Sequence, residues 1–201
     1  MSRFPGADAY AAEAAKLIER YETISSEEVH EEILHLVPDG ALRSLDIGAG
    51  TGRDAAWLAA KGHDVVAVEP TDEMRAAGMR LHPSPRIEWI DDGLPDLSAL
   101  EGRDPFDVIM LTAVWMHLDA DERVSGMARL AALAKRGAVM GLLLRHGPVP
   151  EGRRMFQVSA EETAALAETA GFAVLVNTPR RNIRADAPEG VTWTSLAFRR
   201  L

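Results

Sequence analysis

Leu45-Asp46-Ile47-Gly48-Ala49-Gly50-Thr51-Gly52-Arg53-Asp54-Ala55 is the stretch whose reading decides the fold. Leu42 to Ile47 reads as the end of a short buried strand, and Gly48, Gly50 and Gly52 then allow a tight turn free of side-chain obstruction. From Thr51 the apolar spacing becomes helical: Ala55, Leu58 and Ala59 share a face, and Gly62 stands just past the end. Strand, glycine turn and helix start together present bare backbone N–H groups to a ligand. In an open α/β sheet, nucleotide-like molecules dock beside the first strand.

The spacing disfavours one reading and favours another. A dinucleotide fingerprint requires G-x-G-x-x-G, and Arg53 occupies the place of its third glycine. What stands instead is Asp46-x-Gly48-x-Gly50-x-Gly52, with an acid two residues ahead of the first glycine. This arrangement resembles motif I of the class I S-adenosylmethionine-dependent methyltransferases, as does Glu69 at the end of the next strand. The stretch Gly50-Thr51-Gly52-Arg53-Asp54 and the apolar run before His117 also resemble the tellurite-resistance members of that family.

Composition narrows the class further. The 201 residues suit one domain with an ample core, and an apolar fraction of 47% is that of an ordinary globular protein. No apolar run approaches a membrane span, and the N-terminal residues lack the apolar core of a signal peptide, so a cytoplasmic protein is expected. Without cysteine there is no disulfide framework, thiolate nucleophile or cysteine-based metal site, and no metal is expected. A formal net charge of -9 repels polyanions, which argues against nucleic acid as a substrate. The acidic run around Glu27, Glu28, Glu31 and Glu32 reads as a solvated helix face.

In chain order, residues 1–40 form a helical prefix and residues 41–201 an α/β core within a single domain. Ala7 to Tyr21 has helical composition; a second helix starts at a Ser25–Glu28 capping box and runs to Pro38-Asp39-Gly40. Strands are expected at Asp64–Glu69, Arg86–Ile90, Pro105–Thr112 and Ala138–Leu144, with Leu97–Gly102 a short helix or turn. A helix capped by Asp119 runs to about Arg136, and another starts at Ser159 and ends at Gly171. Phe172–Asn177 and Val191–Phe198 close the chain without a clear helix between them, which predicts an antiparallel hairpin. The fold class expected is α/β: a doubly wound, mostly parallel seven-stranded sheet with that hairpin at its end.

The resemblance implies bound S-adenosyl-L-methionine, leaving S-adenosyl-L-homocysteine as product, with a small-molecule methyl acceptor and neither nucleic acid nor membrane as partner. It implies that Asp46, Gly48, Ala49 and Gly50 hold the methionine part, and Arg53, which opens the glycine helix, is placed to reach its carboxylate. Glu69, with Pro70, would hold the ribose, and Met74, one turn into the next helix, either lies against the adenine or packs in the core. Asp91 or Asp92, beside Gly93, would meet the adenine amino group, Asp92 being preferred. Thr112 and His117 complete the cofactor set at the end of the fourth strand.

For the acceptor, Trp115, Arg145 and Tyr21 are candidate contacts, Tyr10 being the other tyrosine of the prefix. His117 and His146, two of the six histidines, fall at strand ends and are the candidate catalytic bases. His30, His35, His63 and His82 are expected in solvated or packing roles. Arg145, Arg153, Arg154, Arg180, Arg181 and Arg184 either select an anionic acceptor or form intramolecular ion pairs. A sensor that binds S-adenosylmethionine without turnover is the alternative, distinguished by a filled rather than open space beside the cofactor. The prefix helices serve as lid, as homodimer interface, or as both.

Overall fold

In the computed structural model, which describes residues 7–180, 182 and 189–201, the chain folds around one seven-stranded sheet. The strands are β1 (Arg43–Ile47), β2 (Asp64–Val68), β3 (Ile87–Ile90), β4 (Phe106–Thr112), β5 (Ala134–His146), β6 (Phe172–Arg180) and β7 (Thr192–Arg200). Their spatial order is β3-β2-β1-β4-β5-β7-β6, with β7 antiparallel to both β5 and β6 and every other pairing parallel. The order reverses between β1 and β4, the switch point at which open α/β sheets bind ligands.

Among the described residues six α-helices accompany the sheet: α1 (Ala7–Tyr21), α2 (Ser26–Val29), α3 (Arg53–Ala60), α4 (Asp72–Leu81), α5 (Ala120–Leu133) and α6 (Ala160–Thr169). Capping boxes start α2 (Ser25, Glu28) and α5 (Asp119, Glu122), and the Ser159 hydroxyl caps α6. Both sheet faces are covered: Leu45, Ile47, Val66, Ile109 and Leu111 pack on one side, Val65, Ala67, Val108, Met110 and Leu58 on the other. Near-continuous apolar strands follow from that double burial. Among the described residues no helix is long and apolar enough to cross a membrane.

Two elements differ from the sequence reading. The helix expected from Ser26 to Pro38 stops after one turn at Val29. Its continuation would use the carbonyls of Glu28 and Val29, and the Arg180 guanidinium, 151 residues away from Val29 in sequence, takes both. The helix expected to run to Arg136 ends at Leu133, where β5 takes over as a longer strand paired with β4 from Ala134. The closing hairpin forms as expected and extends further, through Arg180 and Arg200.

Candidate ligand cleft at the sheet switch point

The C-terminal ends of β1, β2, β4 and β5 open into one cleft of about 490 Å³. Asp46 ends its floor on β1. The chain then turns through Gly48 and Gly50, whose positive φ values of 65° and 56° suit glycine, and α3 begins at Arg53. At Gly48 a Cβ would sit 2.4 Å from Cγ2 of Val114, so the loop from β4 closes against bare backbone. The amides of Gly48 and Ala49 donate to the Val68 carbonyl at 2.8 and 3.0 Å, which ties the turn to β2.

Glu69 follows β2 and braces the same turn. Its Oε2 accepts from the Gly50 amide and its Oε1 from the Thr71 amide, both at 2.8 Å. Burial pushes this carboxyl above the usual range, and those two amides hold the shift back. Asp46 feels that effect more strongly: it is 1% solvent-exposed, and its Oδ2 has no hydrogen-bond partner among the described residues. Burial first, and the neighbouring Asp54 charge second, drive its pKa well above the ordinary carboxylate value. An unpartnered buried oxygen facing a cleft fits a donor, and best a cationic one, arriving with a ligand.

Asp54, the second residue of α3, anchors a buried polar cluster that the sequence reading did not single out. Its carboxylate accepts from Ser26 Oγ (2.7 Å), Thr112 Oγ1 (2.6 Å) and Arg53 Nε (3.1 Å), and pairs with His30 Nε2 at 2.9 Å. Burial alone would raise its pKa, but the His30 and Arg53 partners outweigh that and hold it well below the usual range. Arg53 is thus fixed at Nε, lines the cleft, and makes no hydrogen bond through its terminal nitrogens among the described residues. The readable signal for this cluster is an Asp one residue after an Arg in the first turn of the glycine helix. His30 therefore has a buried structural role, stacked at 5.9 Å on Trp57.

The helical prefix roofs the cleft. In α1, Ala14 and Leu17 pack on Met74 of α4, and Tyr10 and Tyr21 face the ligand space. The Tyr21 ring lies 3.7 Å from where a Cβ on Gly50 would stand. Across the cleft, His117 leaves β4 on a 3-10 turn, Trp115–His117. Its Nδ1–H donates to the Arg154 carbonyl at 2.8 Å, so Nε2 carries the lone pair and accepts from the Tyr10 hydroxyl at 3.0 Å. Burial lowers the pKa of His117, and the charges of Arg153, Arg145 and Arg154 add to the effect. The imidazole is neutral near pH 7.

The structure brings Asp46, Gly48, Ala49, Gly50, Arg53, Glu69, Pro70, Met74, Gly93, Thr112, His117, Tyr21 and Arg145 to this cleft. Four expected residues are elsewhere. Trp115 is fully buried beside Gly126 of α5, and Val114 and Met116 face the cleft in its place. His146 alternates with Arg145 along β5 and so faces the opposite side of the sheet. There its Nδ1–H donates to the Val158 carbonyl and its Nε2 accepts from the Thr194 hydroxyl, at 3.1 and 2.8 Å. Asp92 turns back on its own loop, accepting from the Gly93 and Ala99 amides at 2.8 and 2.7 Å. Asp91 is largely solvated, 3.6 Å from Arg75.

The arginines divide as well. Arg153 pairs with Glu13, Arg154 with Asp119 and Glu122, and Arg180 with Glu32. Arg181 and Arg184 lie outside the described residues.

Residues 45–137 match the family model described as a methyltransferase domain. Uncharacterized methyltransferases of Mycobacterium bovis and Mycobacterium tuberculosis are 30% identical over 121 residues, which cover 56% of this chain. The aligned part is 44% of their length, so the chain matches less than half of these relatives. Among solved structures, the chain resembles 1,6-didemethyltoxoflavin-N1-methyltransferase of Burkholderia thailandensis, crystallised with 1,6-didemethyltoxoflavin and S-adenosylhomocysteine. That likeness has a TM-score of 0.75 at 20% identity, over 96% of this chain and 86% of the other. A TehB-like methyltransferase of Corynebacterium glutamicum gives 0.69 at 18% identity, over 94% and 99%. At such identities the likeness establishes the fold.

Proposed function

We infer that this chain, whose residues 45–137 match a methyltransferase-domain model, transfers a methyl group from S-adenosylmethionine to a small-molecule acceptor. The observation that carries the reading is the buried Oδ2 of Asp46, unpartnered at the switch-point cleft and one turn from a glycine loop braced by Glu69. An α-ammonium group fits Asp46, and an α-carboxylate fits the free nitrogens of Arg53. Ribose hydroxyls fit the remaining lone pairs of Glu69, and Pro70, Met74 and Leu94 supply apolar walls for a purine.

When bound, the cofactor supplies an electrophilic methyl carbon on a sulfonium, and the protein supplies position and electrostatics. Alignment of the acceptor is then the chief requirement, contributing on the order of 7–11 kcal/mol to barrier lowering. Tyr10 and His117 handle the proton. The acceptor's proton passes to the Tyr10 oxygen as the phenolic proton passes to Nε2 of His117, leaving an imidazolium that later releases its proton to solvent. The α1 roof excludes water from that exchange. The cleft continues past His117 to Leu143, Met155 and Trp193, and this open space supports turnover over a sensor without chemistry.

The test is incubation with methyl-labelled S-adenosylmethionine and a cell extract from the source organism. Label in the small-molecule fraction is the expected result. Label in protein or nucleic acid, or no transfer at all, contradicts it.

A further inference from the structure

We propose that the acceptor is a small organic anion, whose carboxylate or phosphate group is bound by Arg145 while its nucleophilic X–H group points to Tyr10. The proposal rests on the methyl-transfer reading of the cleft and adds the class of acceptor.

Besides Arg20 and Arg53, which also line the cleft, four described arginines stand at this end of the molecule, and the structure separates them. Arg153, Arg154 and Arg180 each have a carboxylate within 4.0 Å, whereas Arg145 has none among the described residues. The polar partner of Arg145 is a backbone carbonyl, that of Pro148, which accepts from one terminal nitrogen at 2.7 Å. Its other terminal nitrogen lies 4.0 Å from the Met155 sulfur, a weak acceptor. A guanidinium has five N–H donors in a planar fork that suits carboxylate and phosphate, and here most of that fork has no acceptor among the described residues. In a chain with a net charge of -9, a cleft-lining arginine with no acid beside it among the described residues is a conspicuous omission.

The surroundings sharpen the omission. Burial and the nearby Arg153 charge both disfavour the Arg145 cation, so an anion placed between the two guanidiniums would relieve a repulsion already present. Arg153 lies 4.3 Å from the centre of the Tyr10 ring, which puts the two cations and the Tyr10–His117 pair at one end of the cleft. Strand register does the rest. Arg145 sits directly opposite Trp193 in the antiparallel β5–β7 pair, so both side chains leave the same face of the sheet. Trp193, Leu143 and Met116 line the same cleft as the cation and the histidine and give it an apolar wall. A flat or apolar body with an anionic group at one end and X–H at the other fits that wall.

The test uses matched probes on the full chain loaded with S-adenosylhomocysteine: 4-hydroxybenzoate and 4-hydroxyphenyl phosphate as the carboxylate and phosphate arms, 4-hydroxybenzamide as the neutral counterpart. At least one anionic probe should bind tenfold or more tightly than the amide, and which one does so identifies the anion. Arg145→Gln should abolish that preference without changing S-adenosylhomocysteine affinity, and Arg145→Lys should restore part of it. Equal binding of amide and anions, no binding of either anion, or a preference that survives Arg145→Gln overturns the proposal. Failure of S-adenosylhomocysteine to bind at all contradicts the methyl-transfer reading instead, and the anion preference is then read on the unloaded chain.

Discussion

The Tyr10 hydroxyl lies 3.0 Å from Nε2 of His117, joining the helical roof to the loop after β4 across 107 residues of sequence. Because Nδ1–H is committed to the Arg154 carbonyl, the tautomer is fixed and Nε2 is the basic atom. Tyr10→Phe should leave S-adenosylhomocysteine affinity unchanged and slow turnover; His117→Gln should slow it by about 10²-fold or more. Binding measured by calorimetry and turnover measured with labelled methyl donor separate the two effects.

The pH dependence follows from the lowered pKa of His117. An unfolded histidine titrates near about 6.5, so between that value and the lower folded one the unfolded chain binds more protons. His117 therefore costs stability as pH falls through that window and costs nothing above it. Nitrogen-detected NMR should show the ring more than half neutral at pH 6.5. A ring half-protonated above pH 6.5 would contradict the assignment.

Asp54 holds Ser26, His30, Arg53 and Thr112 at once, and its removal strands a buried arginine and histidine. Asp54→Ala should lower stability by about 3–5 kcal/mol in urea unfolding, the cost of breaking a buried ionic cluster. A loss below about 1 kcal/mol, the level of a surface pair, would show the cluster to be unimportant.

Gly48 is required twice, by its φ of 65° and by Val114. Gly48→Ala should destabilise the fold by about 1–3 kcal/mol. Val114→Ala added to it should recover the steric part and leave the conformational part. Equal unfolding midpoints for the single and double variants would place the clash elsewhere.

A cation delivered to Asp46 would pull its raised pKa back down and expel a proton. Between the two pKa values, affinity for S-adenosylmethionine should rise with pH. Calorimetric heats in that window should differ between buffers of different ionisation enthalpy and agree between them once Asp46→Asn is introduced. Buffer-independent heats in the unsubstituted protein would rule out that contact.

The alternation of apolar strands with amphipathic helices and the glycine spacing after Asp46 were enough to predict the parallel core, and the missing crossover predicted the β6–β7 hairpin. These are local signals. What was hidden depends on distant partners. Nothing near Val29 announces that Arg180 will claim its carbonyl and end α2. Trp115 and Met116 are neighbours in an apolar run, and only the 3-10 turn decides which of them faces the cleft. His146 next to Arg145 reads as one site in sequence, yet strand alternation sends the two to opposite faces. The two aspartates before Gly93 looked like ligand groups, while Asp92 serves its own loop's amides. An Asp followed by Gly, Leu and Pro is equally a turn-stabilising signature.

The most direct measurement is titration of S-adenosylhomocysteine into the protein and its Glu69→Gln variant, with unfolding temperatures recorded for both. One site per chain is expected, weakened about 10- to 100-fold by the loss of a charge-assisted hydrogen bond while the fold persists. No binding to the unsubstituted protein, or identical affinity in the variant, would contradict a cofactor held between Asp46 and Glu69.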